Sequence, residues 1–364
     1  MGRQTMASES SVDDLEEKLE ETPVNKATEK ERARLKSKIA KLKEKQRKAQ
    51  KGTGDTSGYA VRKRGDATAA LVGFPSVGKS SLLSALTNAD PETGAYEFTT
   101  LDVEPGTLQH RGANIQVLDV PGLIGGAAQG RGDGTQVLSV VRNADLVVEV
   151  FDPEEMRVEK LEDELRDAGI RMDATPPDVT VEEKESGGIS VSSRGELDED
   201  TIRQMARNEG YVNANVVVRE PVDSVDRLVD GFAGNRRYMP SLRLVNKSDG
   251  LSDTEKKDFR EDGFLPVSAE TGENLDVLRD RVFDGLNLIR VYMKRRGEVD
   301  REEPLILREG ETVEDALGEL PGDMAERFKS ARVTGESSDF PEQKVGKSHE
   351  LMDEDVLSLN LKRV

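Results

Sequence analysis

The sequence predicts an α/β protein. A doubly wound, parallel-rich sheet is interrupted by a smaller α/β insertion and flanked by a helical hairpin and a compact mixed β/α domain. Three observations predict it. An apolar run at 67–72, Ala-Thr-Ala-Ala-Leu-Val, enters the loop Gly73-Phe-Pro-Ser-Val-Gly-Lys-Ser and then the helical pattern of 81–86. Strands and helices keep alternating to residue 151. The pattern stops at 152, resumes at 239 and changes character after 287.

In order along the chain, residues 1–11 are polar and read as a disordered tail. Residues 12–51 read as a basic helical hairpin. Val12, Leu15 and Leu19 recur at helical spacing until Thr22-Pro23, and Leu35, Ile39 and Leu42 stripe a second helix. Residues 52–65 form a glycine-rich linker. The nucleotide domain takes 66–151 and 239–287, with strands at 67–72, Ile115–Leu118, Leu146–Phe151, Leu242–Val245 and Phe264–Val267. The insertion, 152–238, holds a charged helix carrying Leu161 and Leu165 and a hairpin around Gly187-Gly188. A helix with Ile202 and Met205 and a strand at Val216–Val218 complete it. The C-terminal domain, 288–364, has strands at Ile289–Met293, Leu305–Leu307, Ala331–Val333 and Val356–Leu361, with a helix at Val313–Leu320.

Composition narrows the function. The chain of 364 residues has no Cys, so thiolate chemistry and disulfides are excluded. Two His, far apart, argue against a histidine-based metal centre. No apolar run reaches the ~18 residues of a membrane span, and the N-terminus lacks a signal-peptide core; a cytoplasmic location is the expectation. With 72 Asp+Glu against 53 Lys+Arg, the net charge is −19. Spread over the chain, that acidity suits a surface adapted to a high-salt cytoplasm. Residues 25–51 reverse the sign, with twelve Lys/Arg and three Glu. The reversal points to a polyanion such as RNA, with Lys41, Lys43, Lys45 and Lys48 as contacts. A solvated helix balancing acidic surface elsewhere is the alternative.

Five segments carry chemistry. The loop of Gly73, Phe74, Pro75, Ser76, Val77, Gly78, Lys79 and Ser80 can wrap a di- or triphosphate with its backbone N–H groups, of which Pro75 has none. Lys79 reaches the β/γ-phosphates and Ser80 offers its hydroxyl to Mg²⁺. Asp119-Val120-Pro121-Gly122 ends an apolar strand. Its carboxylate can hold Mg²⁺ through a water, and the Gly122 N–H can meet the γ-phosphate. Asn246-Lys247-Ser-Asp249 follows another strand. The Asp249 carboxylate accepts the two N–H donors of the guanine edge, which adenine lacks. In Ser268-Ala269-Glu270, the Ala269 N–H can donate to guanine O6. Phe98-Thr99-Thr100-Leu101-Asp102 lies between the first two motifs, and Thr100 is preferred there as a Mg²⁺ ligand that responds to the γ-phosphate. The chemistry is GTP hydrolysis, carried by Lys79, Thr100 and Gly122.

The motifs resemble those of the Obg superfamily of translation-factor-class GTPases, and most closely the developmentally regulated GTP-binding protein (DRG) family. Gly-Phe-Pro-Ser-Val-Gly-Lys-Ser-Ser-Leu-Leu (73–83), Tyr-Glu-Phe-Thr-Thr-Leu (96–101) and Asp-Val-Pro-Gly-Leu-Ile-x-Gly-Ala-Ala (119–128) are similar to its signatures. So are Asn-Lys-Ala-Thr-Glu (25–29) and the segment 343–356. The resemblance implies a P-loop GTPase domain, an insertion like the second domain of ribosomal protein S5, and a C-terminal β-grasp TGS domain. It also implies ribosome association and a regulatory protein partner, and with the acidic surface an archaeal, salt-loving member. Where Ras-type enzymes place a water-orienting Gln, this chain has Leu123. Such GTPases often recruit K⁺, commonly held with a loop Asn; here Ser76 occupies that position. Arg131 is an alternative charge donor, though an exposed loop role suits it better. Two rival readings are an RNA-binding scaffold with GTP as structural ligand and the TGS-bearing YchF-like ATPase branch, which Asp249 disfavours.

Overall fold

The computed structural model describes residues 12, 14–23, 28–51, 65–87, 103–121, 134–195, 197–220, 222, 224–295, 297–320 and 324–361. The expected disordered tail, most of the linker 52–65, the segment Phe98–Asp102 and the positions Gly122, Leu123 and Arg131 lie outside this set. The side chains of Lys43, Lys45 and Lys48 do so too. The chain divides into two compact units. One comprises residues 1–59 with 169–238, and the other residues 60–168 with 239–364.

The larger unit is built on a six-stranded sheet in the order Leu265–Pro266, Ser241–Val245, Leu146–Phe151, Ala67–Val72, Ala113–Asp119, Glu104–His110. All neighbours are parallel except the last pair, an antiparallel hairpin. Every residue of Ala67–Val72 and of Leu146–Phe151 is buried. Strands covered on both faces need such continuous apolar runs, which is why the sequence shows runs there and not alternation. Thr68 and Glu149 are the polar exceptions; Glu149 is fully buried and stands directly opposite Arg243 on the next strand. The hairpin's turn is pinned away from the nucleotide end. His110 Nε2 lies 2.8 Å from Asp280, and Arg111 pairs with Asp280 and Asp284 of the helix Leu275–Gly285.

Two expectations change here. The charged helix Val158–Asp167, expected in the insertion, belongs to the larger unit, and the boundary falls at Ala168/Gly169. Its Leu161 and Leu165 are fully buried. The strand after Phe264 is shorter than expected, Leu265–Pro266, because only two residues pair with the neighbouring strand.

The C-terminal domain lies in the same unit. Its mixed sheet runs Glu298–Val299, Leu288–Arg295, Asp355–Leu361, Phe328–Thr334, Gln343–Val345, and Leu305–Arg308 pairs with Leu288–Arg295. The helix Val313–Glu319 covers one face through Val313, Ala316 and Leu317. The short strands Glu298–Val299 and Gln343–Val345 carry too few apolar residues to show in the sequence. Asp355 is wholly buried and ties two loops together, accepting from Met352 N at 2.8 Å and Ser337 N at 3.4 Å.

In the smaller unit the strand Ala214–Val218 lies between Val179–Glu183, to which it is antiparallel, and Ile189–Ser193, to which it is parallel. The turn at Gly187-Gly188 therefore does not close a hairpin: the strands on either side of it are separated by a third. Both faces of the local sequence alternate, so strand partners could not be read from it. The helices Glu199–Asn208 and Val225–Phe232 pack on this sheet, and the basic helix Glu29–Lys51 packs on them, placing Ala33 among Ile202, Met205 and Leu228. Arg32 ties that helix to the preceding one by donating to the carbonyls of Leu19 and Thr22.

Candidate nucleotide site

The site forms where the parallel strands end, as expected for an open α/β sheet. Ala67–Val72 feeds the phosphate loop, which feeds the helix Lys79–Leu86. The loop needs its glycines for space. A Cβ on Gly73 would overlap the Val150 carbonyl, and one on Gly78 would overlap Asn246 Nδ2. Gly78 also has φ +89°, a left-handed conformation that favours glycine.

Lys79 is buried, and its Nζ donates to the carbonyls of Gly73 and Phe74 at 3.3 Å each. Burial pushes its pKa below the usual lysine range, partly offset by the charge of Asp119. The Ser80 hydroxyl donates to Asp119 Oδ2, while Asp119 Oδ1 is buried without a hydrogen-bond partner among the described residues. A hydroxyl and a buried carboxylate oxygen with spare acceptor capacity fit the donor set of Mg²⁺.

Asn246 is the hinge of the site. Its Nδ2 donates to Val77 O at 3.0 Å and its Oδ1 accepts from Ala269 N at 3.2 Å. One buried amide thus ties the phosphate loop to the Ser268-Ala269-Glu270 loop. The Ala269 N–H expected at guanine O6 is engaged by Asn246 here, so a base would have to share it. Lys247, at φ +61°, donates to Ser76 O at 3.1 Å and to Asp152 Oδ2 at 2.6 Å. Asp249 Oδ1 accepts from the Ser268 hydroxyl at 2.6 Å. That bond, with a backbone N–H, holds the Asp249 carboxyl below the usual range.

Some predicted residues act differently. The Phe74 side chain turns into the protein, with the cations of Arg157 and Lys160 at 5.4 and 5.7 Å from its ring centroid. Its contribution to the site is a backbone carbonyl. Pro75 and Ser76 are exposed, Val77 and Val120 are buried, and Pro121 is half-buried. Glu270 is exposed.

Two residues were missed. Asp152 ends the strand Leu146–Phe151 as Asp119 ends its own, and it holds Lys247. Burial would push its pKa up, but the Lys247 ammonium and the Glu154 N–H keep it below the usual range. Glu273 accepts from Ser248 Oγ at 2.9 Å and pairs with Lys256, fixing the loop that presents Asp249. A carboxylate at a strand's C-terminal end was the available signal for Asp152; Glu273 had none.

The basic helix uses some of its charge internally. Lys36 pairs with Asp226 at 2.6 Å, and Lys41 pairs with Glu209 at 3.3 Å and also donates to the Asn208 carbonyl. Lys41, expected on RNA, thus serves the packing of its own unit.

Comparison with known proteins agrees with this geometry. The family model described as 50S ribosome-binding GTPase matches residues 68–184, its C-terminal region matches 186–288, and the TGS domain matches 289–360. An uncharacterized GTP-binding protein of Halobacterium salinarum is 52% identical over 98% of this chain and 100% of its own. One of Methanocaldococcus jannaschii is 48% identical over 98% of this chain and 94% of its own. The developmentally-regulated GTP-binding protein 2 homolog of Dictyostelium discoideum is 40% identical over 96% and 98%. Among the described residues, no helix is long and apolar enough to cross a membrane.

Proposed function

The chain belongs to the developmentally regulated GTP-binding protein family, with a P-loop GTPase domain and a C-terminal TGS domain, and from that premise we propose that it hydrolyses GTP to GDP and phosphate as a molecular switch. The observation that carries this is the convergence of Lys79, the Ser80–Asp119 pair and the Asn246 bridge at one strand edge.

The loop N–H groups and Lys79 bind the β- and γ-phosphates and offset charge as the γ-phosphoryl leaves. Ser80 and Asp119 would hold Mg²⁺, which neutralises charge on the phosphate oxygens when bound. Asp249 selects guanine, and Lys247, held by Asp152, braces the base loop. Thr100 and Gly122 are assigned to the γ-phosphate from their motifs. Leu123 cannot orient a water by hydrogen bonding, so K⁺ near Ser76 is proposed to supply part of the missing charge. Intrinsic turnover is expected at about 10⁻⁴ to 10⁻² per second.

The cellular reading is association with ribosomal RNA in the cytoplasm of a salt-adapted cell, with a regulatory protein as a further partner. Its support is the basic helix, the TGS domain and the description of the matching family model. The test is phosphate release in KCl and in matched NaCl, with and without ribosomes. Stimulation by K⁺ and by ribosomes is the expected result. Single-turnover assays showing no phosphate release with Mg²⁺ and K⁺ would replace the switch with a GTP-stabilised scaffold.

A further inference from the structure

The groups assigned to the guanine edge stand on two loops that the backbone alone joins weakly. Asp249, for the N1 and N2 donors, lies on the loop after Ser241–Val245, and Ala269, for O6, on the loop after Leu265–Pro266. Leu265–Pro266 is the outermost strand of its sheet and pairs with its neighbour at two positions, Leu244 with Leu265 and Val245 with Pro266. Pro266 has no N–H to give to that ladder. Two backbone bonds extend it, from Val267 N to Val245 O at 2.8 Å and from Ser248 N to Val267 O at 3.0 Å. Asp249 and Ala269 lie beyond that point, so side chains have to fix the distance between them.

Besides the Asn246 amide, a crossed pair of serine–carboxylate bonds does this. Ser268, on the second loop, donates its hydroxyl to Asp249 Oδ1 of the first at 2.6 Å. Ser248, on the first, donates its hydroxyl to Glu273 Oε2 of the second at 2.9 Å. Both serines are wholly buried, so each hydroxyl depends on its carboxylate for an acceptor. Glu273 is itself held: Lys256 Nζ lies 2.8 and 2.9 Å from its two oxygens, and its carbonyl accepts from Ser268 N at 3.1 Å. Lys256 stands on Asp253–Glu261, the helix that leaves the first loop, so the contacts close a ring through both loops. Anchoring that helix, which has no buried residue, is the plainer role for the Lys256–Glu273 pair. The bond from Ser248 is what anchoring does not require.

We propose that Glu273 is a positioning residue for guanine recognition: through Ser248 it holds the Asp249 loop at the spacing from Ala269 that a guanine edge requires, and so sets how well the chain separates guanine from a purine without the 2-amino group. The proposal rests on the GTP reading above and assigns part of its specificity to a residue that acts through another. Asp249 accepts two N–H donors from guanine and one from hypoxanthine, so a carboxylate free to wander loses more on guanine. Loosening of the phosphate loop would weaken both nucleotides alike.

The test is competition by GDP, IDP and ADP against a ribose-labelled fluorescent GDP on the full chain. One hydrogen bond to a charged group separates GDP from IDP, which predicts about 10- to 150-fold tighter GDP binding by the wild type. Glu273→Ala should cut that ratio by about threefold or more, the size of a coupling within one hydrogen-bond network, with GDP affinity falling more than IDP affinity. Ser248→Ala should do the same, and the double variant should lose no more than either single, because one bond is being removed twice. Glu273→Gln keeps an acceptor for Ser248 and should hold the ratio within about twofold of wild type. Both Glu273 variants lose the charge pair with Lys256, so their difference reads the Ser248 bond apart from the helix anchor. A wild-type chain that does not separate GDP from IDP, a ratio retained in Glu273→Ala, or an equal loss in Glu273→Ala and Glu273→Gln would overturn the positioning role while leaving the GTP reading intact. Wild-type binding of ADP as tight as that of GDP would overturn the guanine reading and this role with it.

Discussion

Gly78 and Asn246 are predicted to behave as one energetic unit, which a double-mutant cycle can measure. Gly78→Ala places a side chain at φ +89°, a left-handed backbone that costs about 1–2 kcal/mol for a non-glycine residue. The new Cβ also overlaps Asn246 Nδ2, displacing its hydrogen bond to Val77 O, worth about 1 kcal/mol net. The single variant should therefore lose about 2–3 kcal/mol, the sum of those strain and hydrogen-bond costs. Asn246→Ala, at a site 2% exposed, strands Val77 O and Ala269 N and should lose about 2–4 kcal/mol. In the double variant no amide remains to collide with, so Gly78→Ala adds only the backbone strain. The double should be about 1 kcal/mol more stable than the sum of the singles predicts. Calorimetric unfolding without nucleotide gives the four stabilities. Additivity within about 0.3–0.5 kcal/mol would refute the collision and mean that the loop relaxes elsewhere.

Asp152→Ala frees Lys247, which is half exposed, so the loss is limited to about 0.2–1 kcal/mol, or about 1.4- to 5-fold weaker GDP binding by fluorescence titration; unchanged affinity would remove Asp152 from the site. Burial holds the Lys79 pKa below 10.5, and a bound phosphate raises it, so binding should take up a proton at pH values between the two. Binding favours the charged form: its contribution is complete below the free-state pKa and lost as pH rises through the bound-state value. Calorimetry in buffers of different ionisation enthalpy reads this directly, and proton release would contradict it. Ala33→Asp puts a carboxylate among Ile202, Met205 and Leu228 at a cost of about 3 kcal/mol or more, which should raise amide exchange across residues 197–229 without changing GTP affinity.

The nucleotide motifs were legible because phosphate and guanine chemistry demand particular residues at short, fixed spacings. The strand before the phosphate loop and the strand ending in Asp119 were legible as continuous apolar runs. Asp152 and Glu273 were not, because each acts on a residue distant in sequence, Lys247 and Ser248. The order of the smaller sheet was hidden for a similar reason. Val179–Glu183 and Ile189–Ser193 look like partners across a Gly-Gly turn, and only the tertiary arrangement shows Ala214–Val218 between them. The basic helix was legible as charge, but its docking on Glu209 and Asp226 depends on acidic residues that meet it only after folding.

That docking sets a timetable for synthesis. Ala33 precedes Val229, the last of its buried core partners, by 196 residues, by subtraction of the two positions. At about 5–20 residues per second, the helix waits roughly 10–40 s before its apolar stripe has anything of its own to cover. Through that interval the strands Ala67–Val72, Ala113–Asp119 and Leu146–Phe151 emerge and can begin to pair, while the N-terminal segment stays uncovered beside the exit of the machine that makes it.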